Sequence, residues 1–204
     1  FDEAITDLSH LGAVVVDPVA LPEVVSIGAL ANQDRCRRFR FDLNAYLASL
    51  GPTAPYQTLK AIVVSGRFHP SVRERLVSSL TEEESPEMQL GCATQAARDE
   101  RLRSQVRAVL AAHDLDALIY PSWDNPPRLI GDLNTPHGNN NQRLAPPTGF
   151  PALTVPMGYV HGMLPVGLQL LGNAWSEFTL VGIAYAYEQA TQHRMAPPTT
   201  PMLD

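Results

Sequence analysis

Apolar residues recur at helical spacing from the first position of the chain. Phe1, Ile5 and Leu8 fall on one face, Ala4 and Leu11 adjoin it, and Gly12 closes the run. Residues 13–16 are short, apolar and mostly β-branched, and Asp17-Pro18 stops them, so the pattern predicts a buried strand after the helix. A helical stripe of Phe39, Leu43, Tyr46, Leu47 and Leu50 predicts a helix over 31–50, terminated by Gly51-Pro52. Two shorter helices are predicted in 57–80, with Pro70 at a tolerated first-turn position and Val72, Leu76 and Leu80 supplying a face. An acidic loop at 81–87 leads into the longest predicted helix, about 86–113. Ala96, Leu102, Val106, Val109 and Leu110 mark its buried side, and Arg98, Arg101, Arg103 and Arg107 its wet side.

The second half alternates differently. Residues 116–120 form an apolar run bounded by Pro121 and are read as a strand. A long irregular loop follows, SWDNPPRLIGDLNTPHGNNNQR, and long ordered loops in compact domains are often functional. ALTVPMGYV and PVGLQLLG, separated by a glycine-containing turn, are read as adjacent strands. Asn173 or Ser176 caps a last helix running to about Gln192. Leu180, Ile183, Ala184 and Tyr187 form one face of that helix, and Phe178, Val181 and Tyr185 widen it, so it is expected to be buried against a sheet. Trp175, just before it, is read as a packing residue.

Composition narrows the function classes. A net charge of -6 argues against a nucleic-acid footprint and a polybasic membrane anchor. The basic cluster Arg35, Arg37, Arg38 and Arg40 is read as a solvated helix face. Cys36 and Cys92 lie far apart without a CxxC pattern, so they are expected to be reduced, buried thiols of a cytoplasmic protein. No run is long and apolar enough to span a membrane, and none resembles a secretory signal. The histidines show neither HxxxH nor HExxH spacing, and GxSxG and Walker patterns are missing, so no metal site is expected. Asp114 and Asp116 are read as ordinary turn carboxylates.

TGFPALTVPMG, LPVGLQLLG, WSE and AYAYEQAT-HR, in this order, closely resemble the C-terminal end of the amidase signature enzymes. GAVVVDPVALP, DLNAYLASLG and DALIYPS agree, so the resemblance covers nearly the whole chain. It implies an α/β fold: an α/β/α layered mixed sheet, of which residues 1–204 would be the C-terminal portion as a single domain. It also implies hydrolysis of carboxylic amides with no metal or organic cofactor. In the family a serine is activated by a neutral lysine through a second serine in a cis peptide, and backbone N–H groups form the oxyanion hole.

That machinery is not found in this sequence. No Gly/Ser-rich segment of the GSSGGS kind occurs. Lys60 is the only lysine and is read as a helix-face residue, and Ser65-Gly66 as a turn. No catalytic residue is therefore assigned. The chain begins with Phe1 inside a helical pattern, which suggests either a removed leader or an upstream half carrying the catalytic segment.

The remaining contribution expected of the chain is scaffold and cleft wall. Ligands of open α/β sheets collect beyond the strand C-termini. By the resemblance, the segment after Tyr120 and the loop before TGFPA line the substrate cleft. Ser122, Trp123, Asn140 and Thr148 are the substrate-side candidates. Each has a structural alternative: Trp123 could cover core, Asn140 could be a turn residue, and Thr148 could hold the strand entry. The expected partners are a small-molecule amide and either a missing N-terminal half or a second copy paired through an exposed sheet edge. Two other readings stand beside this one. The first is a non-catalytic truncated homologue or amidotransferase-like subunit acting through a partner chain. The second is a small α/β hydrolase using Cys36 or Cys92 with a histidine.

Overall fold

The computed structural model describes residues 1–21, 36–132, 134–135, 138 and 143–197. The chain divides into two compact units, Phe1–Ser26 with Glu100–Asp204, and Ile27–Asp99.

In the first unit, helix α1 (Asp2–His10) buries Ala4 and Leu8. It ends as the sequence expects. Gly12, at φ +94, lets the Ala13 N–H reach Leu8 C=O and the Gly12 N–H reach Ser9 C=O. This closes the last turn with the left-handed residue only glycine adopts freely. Residues 13–16 are not a strand. Among the described residues they pair with no strand, and Val14 is 90 % exposed.

The predicted strands of the second half are present: β1 (Leu118–Pro121), β2 (Ala152–Val160) and β3 (Leu164–Leu171). They form one antiparallel sheet in the order β1-β3-β2, so the fold class is α/β, and the mixed sheet expected from the resemblance is represented by antiparallel strands among the described residues. β2 carries Pro156 because it is an edge strand. Gly172 N–H bonds Pro151 C=O, so by alternation 153/170 and 155/168 are the hydrogen-bonded pairs, and the nitrogen of Pro156 lies on the outer edge where no donor is needed. A bulge between Pro156 and Gly158 follows.

One sheet face carries Leu153, Val155, Leu168, Leu170 and Ile119. It packs with Ala4 and Leu8 of α1 and with Leu180, Ala184 and Tyr187 of the last helix, α7 (Glu177–Thr191). The period-2 strand pattern and the 3.6-residue helix pattern thus meet in one core. The wider half of the α7 stripe is not buried. Phe178, Val181 and Tyr185 are exposed, and Trp175 is 91 % exposed rather than a packing residue. Between α1 and β1 comes the long helix α5 (Leu90–Ala112), of which Leu102, Val106 and Leu110 form the buried face and Ala96 is exposed. A four-residue helix, α6 (Ala145–Thr148), precedes β2.

The second unit holds α2 (Phe39–Ser49), α3 (Leu59–Ser65), a 3-10 turn (Pro70–Val72), α4 (Arg73–Ser79) and the start of α5. The part of the predicted helix at 31–35 lies outside the described residues. Thr58 caps α3 by accepting from Ala61 N–H at 3.1 Å, and Asn44 Oδ1 accepts from Leu59 N–H at 2.8 Å. Pro70 occupies the first-turn position as expected. Among the described residues, Leu47 and Leu59 are the buried hydrophobic side chains of this unit.

The two cysteines are not free thiols. Cys36 and Cys92 form a disulfide across a separation of 56 residues. It removes the thiol-based ground for a reducing compartment. Gln89 reinforces the link: its Oε1 accepts from Arg37 N–H at 2.8 Å and its amide donates to Arg37 C=O. No helix among the described residues is long and apolar enough to cross a membrane.

Candidate functional site

The second face of the sheet is built differently from the core face. The register sets Tyr120 opposite Gln169 and Thr154 opposite the same Gln169, so these three side chains form a polar row. Ser122 lies just past β1, where its N–H continues the ladder to Gly167 C=O at 2.8 Å. Its Oγ and the Thr154 hydroxyl are 3.1 Å apart across the middle strand. Gly167 permits this, because a Cβ there would stand 2.6 Å from Thr154 Cγ2 and 2.9 Å from Ser122 Oγ. The Gly167→Ala variant is expected to break the Ser122–Thr154 bond and lose about 1–3 kcal/mol through overpacking. Urea unfolding of wild type and variant would check it, and an unchanged midpoint would show that the strands move apart freely.

The loop after Ser122 folds back on itself. A Cβ on Gly138 would meet both Trp123 Nε1 and Asn125 Cβ at 2.9 Å, so 138 lies directly against the start of the loop. Asp132 organises the far turn by accepting from the N–H groups of Asn134 at 2.8 Å and Thr135 at 3.1 Å. Hydrogen bonds from the Thr135 side chain and from these two backbone groups bring its carboxyl down to about 2. Arg128 donates to Thr135 C=O at 3.1 Å. The turn presents Leu129 and Ile130 to solvent, an apolar tip that polar-loop reasoning does not single out.

Thr148 belongs to another neighbourhood. It is 2 % exposed, its hydroxyl donates to Leu144 C=O at 2.7 Å, and it accepts from Phe150 N–H at 3.3 Å. Its carbonyl accepts from Arg103 Nε at 2.9 Å. Arg107 stands 5.3 Å over the Phe150 ring. A concavity of about 210 Å³ opens beside these groups, with Trp175 and Glu177 at its edge.

Of the four substrate-side candidates, Ser122 and Trp123 are therefore adjacent at the end of β1, Thr148 has its hydroxyl committed within its own turn, and Asn140 lies outside the described residues. Lys60 and Ser65 lie on α3 in the other unit, with Ser65 Oγ donating to Ile62 C=O at 2.7 Å. Sequence pattern misses Thr154 and the Arg103/Arg107 pair. The period-2 register could have set Thr154 beside the end of β1, but the two arginines read as a solvated helix face. Among the described residues no group of acidic, histidine or cysteine side chains is arranged to hold a metal.

Comparison with known proteins fixes the lineage. Residues 1–181 match the family model described as Amidase. The native peptide amidase from Stenotrophomonas maltophilia superposes with a TM-score of 0.75 and 32% identity, over 95% of this chain and 39% of that one. An amidase family protein from Bacillus anthracis str. Ames has the same fold, with a TM-score of 0.69 at 23% identity over 98% of this chain and 36% of that one. A stretch of 90 residues, 41% of the chain, is 40% identical to a glutamyl-tRNA(Gln) amidotransferase subunit of Clostridium botulinum (strain Eklund 17B / Type B), covering 18% of that protein. The chain thus spans about two fifths of the solved structures and less than a fifth of the curated relatives it matches. With the family match running from the first helix into the last, the chain belongs to the amidase family, the amidase signature enzymes.

Proposed function

We propose that this chain is the scaffold and one cleft wall of an amidohydrolase that splits a carboxylic amide into an acid and ammonia or an amine. The observation that supports it most is the likeness to a peptide amidase over 95% of the chain. The serine nucleophile, cis serine and lysine of such chemistry have no counterparts at Ser65, Lys60 or elsewhere in this sequence, so a further segment must bring them. Ser122 and Trp123 supply substrate contacts at the end of β1. Asn140 is kept as a substrate-side candidate from the sequence, and Thr148 acts by holding the turn that enters β2. No cofactor is required, because the chemistry is acyl transfer through a serine ester.

Residues 1–204 alone are expected to release no ammonia or amine from peptide amides above blank. Removing nucleophile and base together leaves only binding and polarisation. Turnover that co-purifies with the chain and survives rigorous purification would overturn the assignment. In a catalytically complete form, Ser122→Ala is expected to raise KM about 2- to 10-fold, the worth of one hydrogen bond, with kcat little changed. An unchanged KM would remove Ser122 from the cleft wall.

The likeness to an amidotransferase subunit favours a second reading, in which the chain is part of a subunit working through a partner chain. Recovery of amide hydrolysis only when a separate polypeptide is added would support it over a self-contained amidase.

A further inference from the structure

We propose that Thr154 is a positioning residue of the cleft wall: its hydroxyl holds the Ser122 hydroxyl across Gly167 and so fixes how Ser122 meets the substrate. The role rests on the reading of Ser122 as a substrate contact. The pair is asymmetric. Thr154 lies inside β2, between Leu153 and Val155, which are bonded to the middle strand. Its β-branched side chain has few rotamers. Its methyl takes the space that Gly167 leaves, since a Cβ at 167 would stand 2.6 Å from Thr154 Cγ2. With the methyl seated there, Oγ1 lies 3.1 Å from Ser122 Oγ. Ser122 is one residue past the end of β1. Its backbone is pinned by the N–H bond to Gly167 C=O, but a serine side chain has several staggered positions open to it. A strand-held hydroxyl therefore selects the rotamer of a freer one.

Thr154 passes over its nearest neighbour to make this bond. Gln169 is directly opposite it in the register, in a pair not bonded through the backbone, where side chains approach most closely. The Thr154 hydroxyl nevertheless bonds Ser122. Among the described residues neither hydroxyl has another hydrogen-bond partner. Either one can be the donor, so one O–H is spent within the pair. The second O–H and the remaining lone pairs stay available to a substrate amide, which carries both a donor and an acceptor.

A merely structural bond would behave differently. Thr154 is exposed and Ser122 half-buried, so water replaces either partner at little cost and the bond adds little to stability. What its loss changes is the freedom of Ser122. A serine hydroxyl spread over its staggered wells makes any one directed contact about threefold weaker. The effect of losing the Thr154 hydroxyl therefore belongs in substrate affinity rather than in unfolding, and the two are measured separately.

The test is a set of variants in the intact amidohydrolase that carries these residues, assayed by ammonia release from an N-acetylated dipeptide amide. Thr154→Val keeps the shape of the side chain and removes the hydroxyl. It is expected to raise KM about 2- to 10-fold, as Ser122→Ala does, with kcat and the urea midpoint little changed. Thr154→Ser returns the hydroxyl and is expected to bring KM to within about twofold of wild type. Because Thr154 acts through Ser122, the double variant Ser122→Ala/Thr154→Val is expected to match Ser122→Ala alone. A wild-type KM in Thr154→Val, where Ser122→Ala raises it, would overturn the proposal. Effects that multiply in the double variant would also overturn it, by making Thr154 a contact in its own right. A KM unmoved by Ser122→Ala overturns the cleft-wall reading of Ser122 and the role of Thr154 with it, so the silent single variant tells the two failures apart. Should Thr154→Val not fold, Thr154→Ala and its rescue by Thr154→Ser carry the same comparison.

Discussion

Reduction of the Cys36–Cys92 disulfide is expected to melt the second unit while the first stays folded. Chain entropy favours this strongly. Closing a loop across a separation of 56 residues removes about 4 kcal/mol of unfolded-state freedom. The native contacts available to replace it are few, with Leu47 and Leu59 as the buried hydrophobic side chains among the described residues of that unit. Capping at Thr58 and the Arg38–Asp42 pair on α2 add only small increments. Hydrogen exchange with and without a phosphine reductant would test it. Amides of α2 to α4 should lose protection on reduction, and those of β2, β3 and α7 should keep theirs. Unchanged protection of α3 in the reduced protein, or in Cys92→Ser, would show that helix packing alone sustains the unit.

A second large effect is expected in alkali. Among the described residues, the hydroxyls of Tyr120 and Tyr187 are buried without a hydrogen-bond partner. Burial pushes the Tyr120 phenol up to about 12. Burial, and after it the charge of Asp7, does the same for Tyr187, also to about 12. The ordinary value is 10.0. Below pH 10 both states hold the proton and the stabilisation is fully present. Between pH 10 and 12 the unfolded chain loses its proton while the folded one keeps it, so stability falls as pH rises.

A shift of this size corresponds to about 2–3 kcal/mol for Tyr187, a residue that is 1 % exposed. The share of Tyr120 is smaller because it is only half-buried. Urea unfolding at intervals from pH 9 to 12 should show this decline, and Tyr187→Phe should flatten it. Phenylalanine also removes an unpartnered hydroxyl, so the variant should be no less stable at pH 7. An equal decline in wild type and variant would assign the effect to other groups.

The elements differ in how legible they are. β2, β3, α7 and the end of α1 follow from local signals: alternation over 152–160, a glycine where a left-handed residue is needed, and a 3.6-residue stripe. The helices of the second unit are marked by Gly51-Pro52 and Pro70, which act within one turn, whereas the Thr58 cap is seen only in the structure. Residues 13–16 show the limit. Valines favour a strand, but a strand exists only when another edge pairs with it, and none does so here among the described residues. The α7 stripe reads as wholly buried because apolarity cannot say how much cover is present.

The candidate site divides in the same way. Ser122 and Trp123 are placed by the strand end that precedes them. The bond between Ser122 and Thr154 across Gly167 joins residues far apart in sequence and depends on a register that no single segment specifies.

By itself, then, the sequence determined most of the helices, the three strands of the second half and the lineage, because these depend on local spacing and residue identity. Only the tertiary structure decided that the cysteines are joined and that the Thr148 hydroxyl is spent on its own turn. The first joins distant segments, and the second depends on how the chain enters β2. Position along the chain carries no information about any of them until the backbone has folded.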